Sequence, residues 1–369
     1  MPESSLRPGG SASGHKILTS EAIKNHALEL GFDLCGIAPA GAFPELAFFK
    51  EWIGRGYAGT MGYLPRTAER RSDARNVMPT ARSVIMTGTL YNRGQPYSTE
   101  RNDATRGEVA RYAWSQDYHL VIGERLDGLL KWMAAAHHQP FEARAYVDTG
   151  PVQERVYAQY AGVGWIGKNT CVINPELGSW LLLGAIICSL PLDADSPSLD
   201  QCGACTLCLE ACPTAAFAAP HVLDATKCIS YLTIEYRGSI PETQRAAIGN
   251  HLFGCDICQE VCPWNASPVN TTEPSWSARE DVNLAGLIDL WRRTDDELAE
   301  FVGDTAMTRA GVRGLRRNLA VALGNSGDCS ALEVLDGSET NGTFSDPLVL
   351  EHVQWAKSKL ADSTGRERS

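Results

Sequence analysis

The sequence predicts an α+β protein in three successive parts: an N-terminal α/β domain, a module like a bacterial two-cluster ferredoxin, and a C-terminal helical region of HEAT type. Three observations carry this expectation. Helical patterns alternate with apolar strand patterns from about residue 15 to 195. Two cysteine combs follow, "CGACTLCLEACP" at 202–213 and "CDICQEVCP" at 255–263. From about 275 onward only helical patterns with short breaks remain. A chain of 369 residues is long for one domain, and the boundaries expected are a disordered leader at 1–15, the α/β domain at 16–195, the cysteine module at 196–270 and the helical region at 271–369.

The elements follow in order. Residues 1–20 lack an apolar core and are rich in Ser, Gly and Pro, which suits a leader rather than a signal peptide. "ILTSEAIKNHALELGFDL" at 17–34 opens on a Ser/Thr cap, keeps helical spacing and ends at Gly31. "CGIAPA" at 35–40 and "SVIMTGTLY" at 83–91 read as buried strands. Between them "EWIGRGYAGTMGYLPRTAERRSDARN" reads as a Gly- and Arg-rich loop region, long enough to suggest function. Residues 118–138 are an amphipathic helix, 141–148 a strand, and "PVQERVYAQYAG" a helix with Pro151 in its first turn. "WLLLGAIICSL" at 180–190 is too short to span a bilayer and fits a buried strand or two. "PLDADSPSLD" at 191–200 separates this domain from the cysteines. The C-terminal segments at 283–302, 308–327 and 347–362 resemble degenerate HEAT units, with a plain helical bundle as the alternative.

Composition narrows the function. Hydrophobic content of 44% with 21% charged residues is ordinary for a globular chain. A net charge of −11 argues against a general nucleic-acid coat, while leaving room for a local basic patch. Twelve cysteines without a secretory signal point to metal chemistry in a reducing compartment, the cytoplasm, rather than to disulfides.

The first comb, Cys202, Cys205, Cys208 and Cys212, has the C-x2-C-x2-C-x3-C-P spacing that wraps an iron–sulfur cube. In that pattern the last cysteine of each comb crosses to the other cluster. Cys202, Cys205 and Cys208 are then completed by Cys262, while Cys212, Cys255 and Cys258 stand one ligand short. Cys228 is the remaining cysteine inside the module and is assigned as the missing ligand. Zinc in two four-cysteine sites is the alternative, less suited to tandem x2/x3 spacings with a following proline. Cys35, Cys171, Cys188 and Cys329 read as buried small hydrophobes.

"GVGWIGKN" at 162–169 imitates both a dinucleotide fingerprint and a P-loop. It follows a helix rather than a strand, and Asn169 stands where a P-loop needs Ser or Thr. Its glycines read as turns or as points of close approach. Asp148, in "YVDTGP", ends a strand just before a helix, where sheets present site residues. An acidic residue that merely favours the helix N-terminus is the bland alternative.

"VDTGPVQERVYAQYAGVGWIGKNTCVIN", "GSWLLLG", "CGACTLCLEACPTAAF", "KCISYLTIEYRGSIP", "FGCDICQEVCPWN" and "RRNLAVALGN" together resemble the epoxyqueuosine reductases, over about residues 18–360. The resemblance implies an enzyme that reduces epoxyqueuosine to queuosine at the wobble position of tRNA. It implies base-off cobalamin in an N-terminal domain related to the reductive dehalogenases, two [4Fe–4S] clusters with the crossed ligands given above, and Asp148 as proton donor. It also maps corrin contacts onto Arg66, Val172, Leu183, Ser230, Cys255 and Asp256, several through backbone atoms. A low-potential donor such as flavodoxin or ferredoxin would supply electrons, and no membrane is involved. For Asp148 to hold a proton near neutral pH, its pKa should be raised by burial. Arg309, Arg313, Arg316 and Arg317 are spaced for a phosphate-facing stripe, with Arg66, Arg70, Arg71 and Arg75 as a second group; a solvated helix face is the alternative. A corrinoid reductase of another substrate and a non-catalytic electron carrier remain the rival functions.

Overall fold

Five strands form the N-terminal sheet: β1 (Ser5–Leu6), β2 (Leu34–Pro39), β3 (Ser83–Leu90), β4 (Ala143–Tyr146) and β5 (Leu181–Cys188), in the order β1-β4-β5-β3-β2. The structure, a computed structural model, describes residues 5–6, 18–282, 284–340 and 346–366. Every neighbouring pair is antiparallel, so the alternation of helices and strands produces an α+β sheet and not parallel βαβ units. The apolar run at 180–190 yields one strand, β5, paired on both sides by β3 and β4.

The run needs no polar alternation because both sheet faces are covered. Ile37, Ile85 and Ile186 face a core shared with α1 (Ser20–Glu29) and α2 (Tyr118–Ala136). Ala38, Val84, Met86, Ala185 and Ile187 face the opposite core, with α3 (Glu154–Tyr160). The period of two thus divides one hydrophobic run between two layers. Helix α1 starts where expected, its Thr19 hydroxyl accepting from the Ala22 N–H, and Gly31 (φ 90°) closes its end.

Several expectations shift. Helix α3 begins at Glu154, so Pro151 lies in the preceding bend and not in the first turn. The Gly- and Arg-rich stretch is mostly helical: Pro44–Gly54, then single turns at Tyr63–Arg66, Ala68–Arg71 and Ala74–Val77. Its arginines favour helical turns more than the loop its glycines suggest. The leader falls largely outside the described residues; Ser5–Leu6 departs from it by pairing with Ala143 and Arg144.

In the cysteine module, short helices Leu207–Glu210 and Ile257–Glu260 each sit between comb cysteines. Beyond it, α4 (Gly311–Asn325) is almost wholly buried and packs on α5 (Pro347–Arg366). A Cβ on Gly324 would lie 2.8 Å from the Ala356 Cα, so glycine sets that close crossing. This helical core also takes in Trp114, Leu252 and Phe253 from the preceding regions. Among the described residues no helix is long and apolar enough to cross a membrane.

Candidate active site and cluster ligands

Asp148 lies in the loop between β4 and α3, in the left-handed region (φ 55°). Its N–H donates to Glu154 Oε1 (2.8 Å), which fixes this unusual backbone from the start of α3. The β4/β5 register ends at the pairing of Tyr146 with Ala185, two residues before Asp148. Leu181, Leu182 and Leu183 are half-buried while the rest of β5 is buried; Leu181 and Leu182 pack against one sheet face and Leu183 against the other.

His119 faces Asp148. Asp117 caps α2, accepting from the His119 N–H (3.0 Å), and also contacts His119 Nδ1 (2.7 Å). The other ring nitrogen, Nε2, is buried without a hydrogen-bond partner and points at Asp148 Oδ2, 3.7 Å away. Burial and the helix N-terminus oppose a charged imidazole here, but the two carboxylates outweigh them and push its pKa up to about 9. The Asp148 side chain is 66% exposed, with His119, Arg155 and Tyr118 near its carboxylate. Desolvation there works to raise its pKa, but interactions with His119, then Arg155 and Tyr118, hold it below the ordinary carboxylate range. The expectation of an Asp148 raised by burial is therefore corrected: the proton rests on His119. The raised carboxyl is Glu154, pushed up to about 8 by burial and by the neighbouring Asp148 charge.

Tyr63, Arg71, Tyr112, Tyr118 and Arg309 also lie within electrostatic reach of Asp148. None of His119, Glu154 or Tyr63 was singled out from sequence. The signal available was Asp117-Tyr118-His119 at a helix start, a cap with a histidine two residues behind it.

The comb cysteines lie in two neighbourhoods, with Cys171 beside both Cys258 and Cys262. Burial raises Cys208, with Cys202 and Cys205 adding; burial pushes Cys262 up to about 11, with Cys202 and Cys208 beside it. On the other side, burial raises Cys255, with Cys228 and Cys212 adding, and Cys258 feels Cys255 and Cys228. Among the described residues no three potential ligands converge on a point as for one ion. The Cys171 and Cys258 thiols hydrogen-bond to each other, so Cys171 is no plain hydrophobe. Cys329 is exposed, against expectation, in the turn before Ser330, while Cys188 is buried.

The glycines of "GVGWIGKN" allow close approach. A Cβ on Gly164 would lie 2.4 Å from the Ile173 carbonyl, across the pairing of Trp165–Ile166 with Val172–Ile173. Lys168 Nζ donates to the carbonyls of Gly203 (2.7 Å) and Cys205 (2.8 Å), and Asn169 Nδ2 to that of Cys258 (3.1 Å). The motif that imitates a phosphate loop therefore buckles the sheet domain to both cysteine combs.

Of the mapped corrin contacts, Val172 follows Cys171, Ser230 lies two residues after Cys228, and Cys255 adjoins Asp256 in the sequence. Val172 and Asp256 are buried, and the Asp256 carboxylate accepts from the Arg111 N–H (2.7 Å). Tyr231 Oη accepts from the Thr60 N–H (2.8 Å), tying the Ser230 segment to the stretch that carries the exposed Arg66.

The arginine stripe does not form. Arg316 and Arg317 are buried, because α4 is enclosed on most sides. Arg309 makes a two-pronged pair with Glu235 (2.9 Å each), and Arg313 pairs with Asp346 (2.5 Å). In the second group Arg71 donates to the Val152 carbonyl and Arg75 binds Asp73, leaving Arg66 and Arg70 exposed.

Residues 71–149 match the family model described as epoxyqueuosine reductase, and residues 201–265 that of a 4Fe-4S double cluster binding domain. The epoxyqueuosine reductase of Xanthomonas campestris pv. campestris is 40% identical over 338 residues, covering 90% of this chain and 94% of its own. A crystal structure of epoxyqueuosine reductase with an epoxyqueuosine-modified tRNA-Tyr stem loop superposes with a TM-score of 0.81 at 31% identity, over 94% of this chain and 92% of that one. The Bacillus subtilis epoxyqueuosine reductase, in a state with its catalytic aspartate loop swung out of the active site, superposes with a TM-score of 0.83 at 30% identity and the same coverage. With the Asp148 loop, the two cysteine groups and these likenesses all in agreement, the chain belongs to the epoxyqueuosine reductase family.

Proposed function

We propose that the chain removes the epoxide oxygen of epoxyqueuosine in a tRNA anticodon stem loop, giving queuosine and water. The observation that carries this reading is the His119–Asp148 pair, in which a buried imidazole Nε2 lies 3.7 Å from the carboxylate of an exposed aspartate. Conversion of the epoxide to an alkene consumes two electrons and two protons, and side chains provide only the protons.

Cys202, Cys205, Cys208 and Cys262 would hold one [4Fe–4S] cluster, and Cys212, Cys228, Cys255 and Cys258 the other. The tandem x2/x3 spacings, each with a proline after the last cysteine, suit a cube better than a single tetrahedral ion. A flat macrocycle with polar edges would lie against half-buried Leu183, with Arg66, Val172, Ser230, Cys255 and Asp256 as the further contacts that the resemblance implies. Bound there, cobalamin would supply the low-potential chemistry at the epoxide that no side chain offers.

The residues manage the protons. At neutral pH His119 carries one, shared towards the Asp148 carboxylate across 3.7 Å, and Asp117 keeps the imidazole oriented through Nδ1. Asp148 meets the departing oxygen and relays the His119 proton to it. Glu154, protonated up to about pH 8, holds the Asp148 backbone in place without adding a negative charge beneath it. A relative's crystal structure with a modified stem loop, and a relative's catalytic aspartate loop that swings, both support the substrate and the role of the Asp148 loop.

The deciding experiment is anaerobic turnover of a stem loop bearing epoxyqueuosine, with the reconstituted protein, cobalamin and a low-potential reductant. Mass spectrometry should record the loss of one oxygen; an unchanged substrate with both clusters and cobalamin bound would remove the reading.

A further inference from the structure

Arg317, expected on a phosphate-facing surface, is instead 1% exposed, and its neighbour Asn318 is 0% exposed, on the side of α4 that meets the cysteine module. Arg317 uses all five of its N–H donors. Nη1 donates to the carbonyls of Tyr236 (2.6 Å) and Gly238 (3.0 Å), Nη2 to those of Leu232 (2.6 Å) and the Asn318 side chain (2.9 Å), and Nε again to Asn318 Oδ1 (3.1 Å). The segment it holds, Tyr231–Glu235, is a π-helical turn, a geometry that leaves carbonyls without their usual partners and is frequent at functional sites.

Asn318 Nδ2 then divides itself between two strands of chain. It donates to the Thr233 carbonyl (2.9 Å) in the π turn and to the Leu252 carbonyl (2.8 Å) just before Cys255. Thr233, fully buried, closes the circuit. Its hydroxyl donates to the Ile229 carbonyl (2.7 Å), next to Cys228, and accepts from the Gly254 N–H (2.9 Å), next to Cys255. Gly254 itself admits no side chain: it has φ 70°, and a Cβ there would lie 2.6 Å from the Ala110 Cβ. Val321, one turn further along α4, packs in the same small core as Cys228 and Cys255.

We propose that Arg317, Asn318 and Thr233 are positioning residues for the second cluster: they fix the spacing of the Cys228 and Cys255 arms, and so make α4 of the helical region part of that redox site. The proposal rests on the reading of Cys228 as a ligand. The physical basis is directional. Two arms from distant parts of the chain must hold their thiolates at one distance, and a hydroxyl and an amide that each bond to both arms define that distance more sharply than apolar packing does. Burying a guanidinium is costly; the carbonyls and the Asn318 side chain that take each of its N–H groups make it tolerable and specific to this backbone.

The test uses the full chain, reconstituted anaerobically, with the cluster of Cys202, Cys205, Cys208 and Cys262 as internal control. Thr233→Val keeps the shape and removes the bridging hydroxyl; Asn318→Ala removes the amide. Redox titration followed by EPR should show one cluster's midpoint potential and line shape displaced in both variants, with the other cluster unmoved. Arg317→Lys should lose iron selectively from the same cluster; should it fail to fold, the two milder variants decide. Unaltered potentials and spectra for both clusters in folded Thr233→Val and Asn318→Ala would overturn the proposal. Cys228→Ser tests the underlying reading separately: retention of both native spectra there removes Cys228 as a ligand, whatever the positioning variants do.

Discussion

At Asp148 two effects compete, and the magnitudes decide between them. Desolvation works to raise the pKa of this carboxyl, but His119 and Arg155 reverse the direction. The proton of the pair therefore sits on the imidazole. Replacing Asp148 by Asn should lower single-turnover oxygen loss by roughly 10²- to 10⁴-fold, the usual worth of general acid catalysis, with both clusters and bound cobalamin unchanged in their spectra. His119→Asn should lower the rate and also remove the alkaline limb of the pH–rate profile, which in the parent protein should fall as pH rises through about 9.

The same pair affects stability. His119 has its pKa raised from 6.5 to about 9, so its contribution is fully present below pH 6.5 and is lost as pH rises through 9. Asp148 is lowered, so its contribution is present above its ordinary value near 3.8 and is lost as pH falls through the folded one. Thermal melts of the parent and His119→Asn proteins should therefore differ most near pH 5–6.5 and converge above about pH 9. A constant difference across that range would contradict the pair.

At the level of elements, "GVGWIGKN" shows how a motif can be read correctly in part. Its position after a helix and the Asn at its end rule out a phosphate loop, and close approach explains Gly164. What the local pattern could not supply was the target of Lys168, because Gly203 and Cys205 lie some 35 residues further along the chain. Lys168→Met should leave the sheet domain folded and make the cluster of Cys202, Cys205, Cys208 and Cys262 more easily lost. Iron content and EPR after controlled air exposure should show that cluster disappearing first; equal loss of both would disconnect Lys168 from it. The helix at 118–136 was legible by its period, whereas the role of His119 was not, since only the fold brings Asp148 to its ring.

Across the whole molecule, a net charge of −11 means that tRNA must be met by local cations. The buried or ion-paired arginines of α4 do not provide them. Arg66 and Arg70 remain exposed on the helical turns whose Tyr63 and Arg71 lie within electrostatic reach of Asp148. Arg66→Glu and Arg70→Glu should each weaken stem-loop binding and lower its log–log salt slope by about one, the expectation for one lost phosphate contact. Titrations at several salt concentrations measure this, and an unchanged slope would take either residue out of the interface.

The sequence by itself determined what is local: strand and helix periods, caps, the two combs and the family resemblance. All of these depend on neighbours within a few turns of chain. Only tertiary structure decided the antiparallel pairing of the sheet, the proton's seat on His119 and the burial of Arg316 and Arg317. Helical spacing places four arginines on adjacent turns, but whether a turn faces solvent depends on what packs over it. For α4 that covering comes from segments as distant in sequence as Trp291 and Leu232, whose carbonyls take the N–H groups expected to meet phosphate.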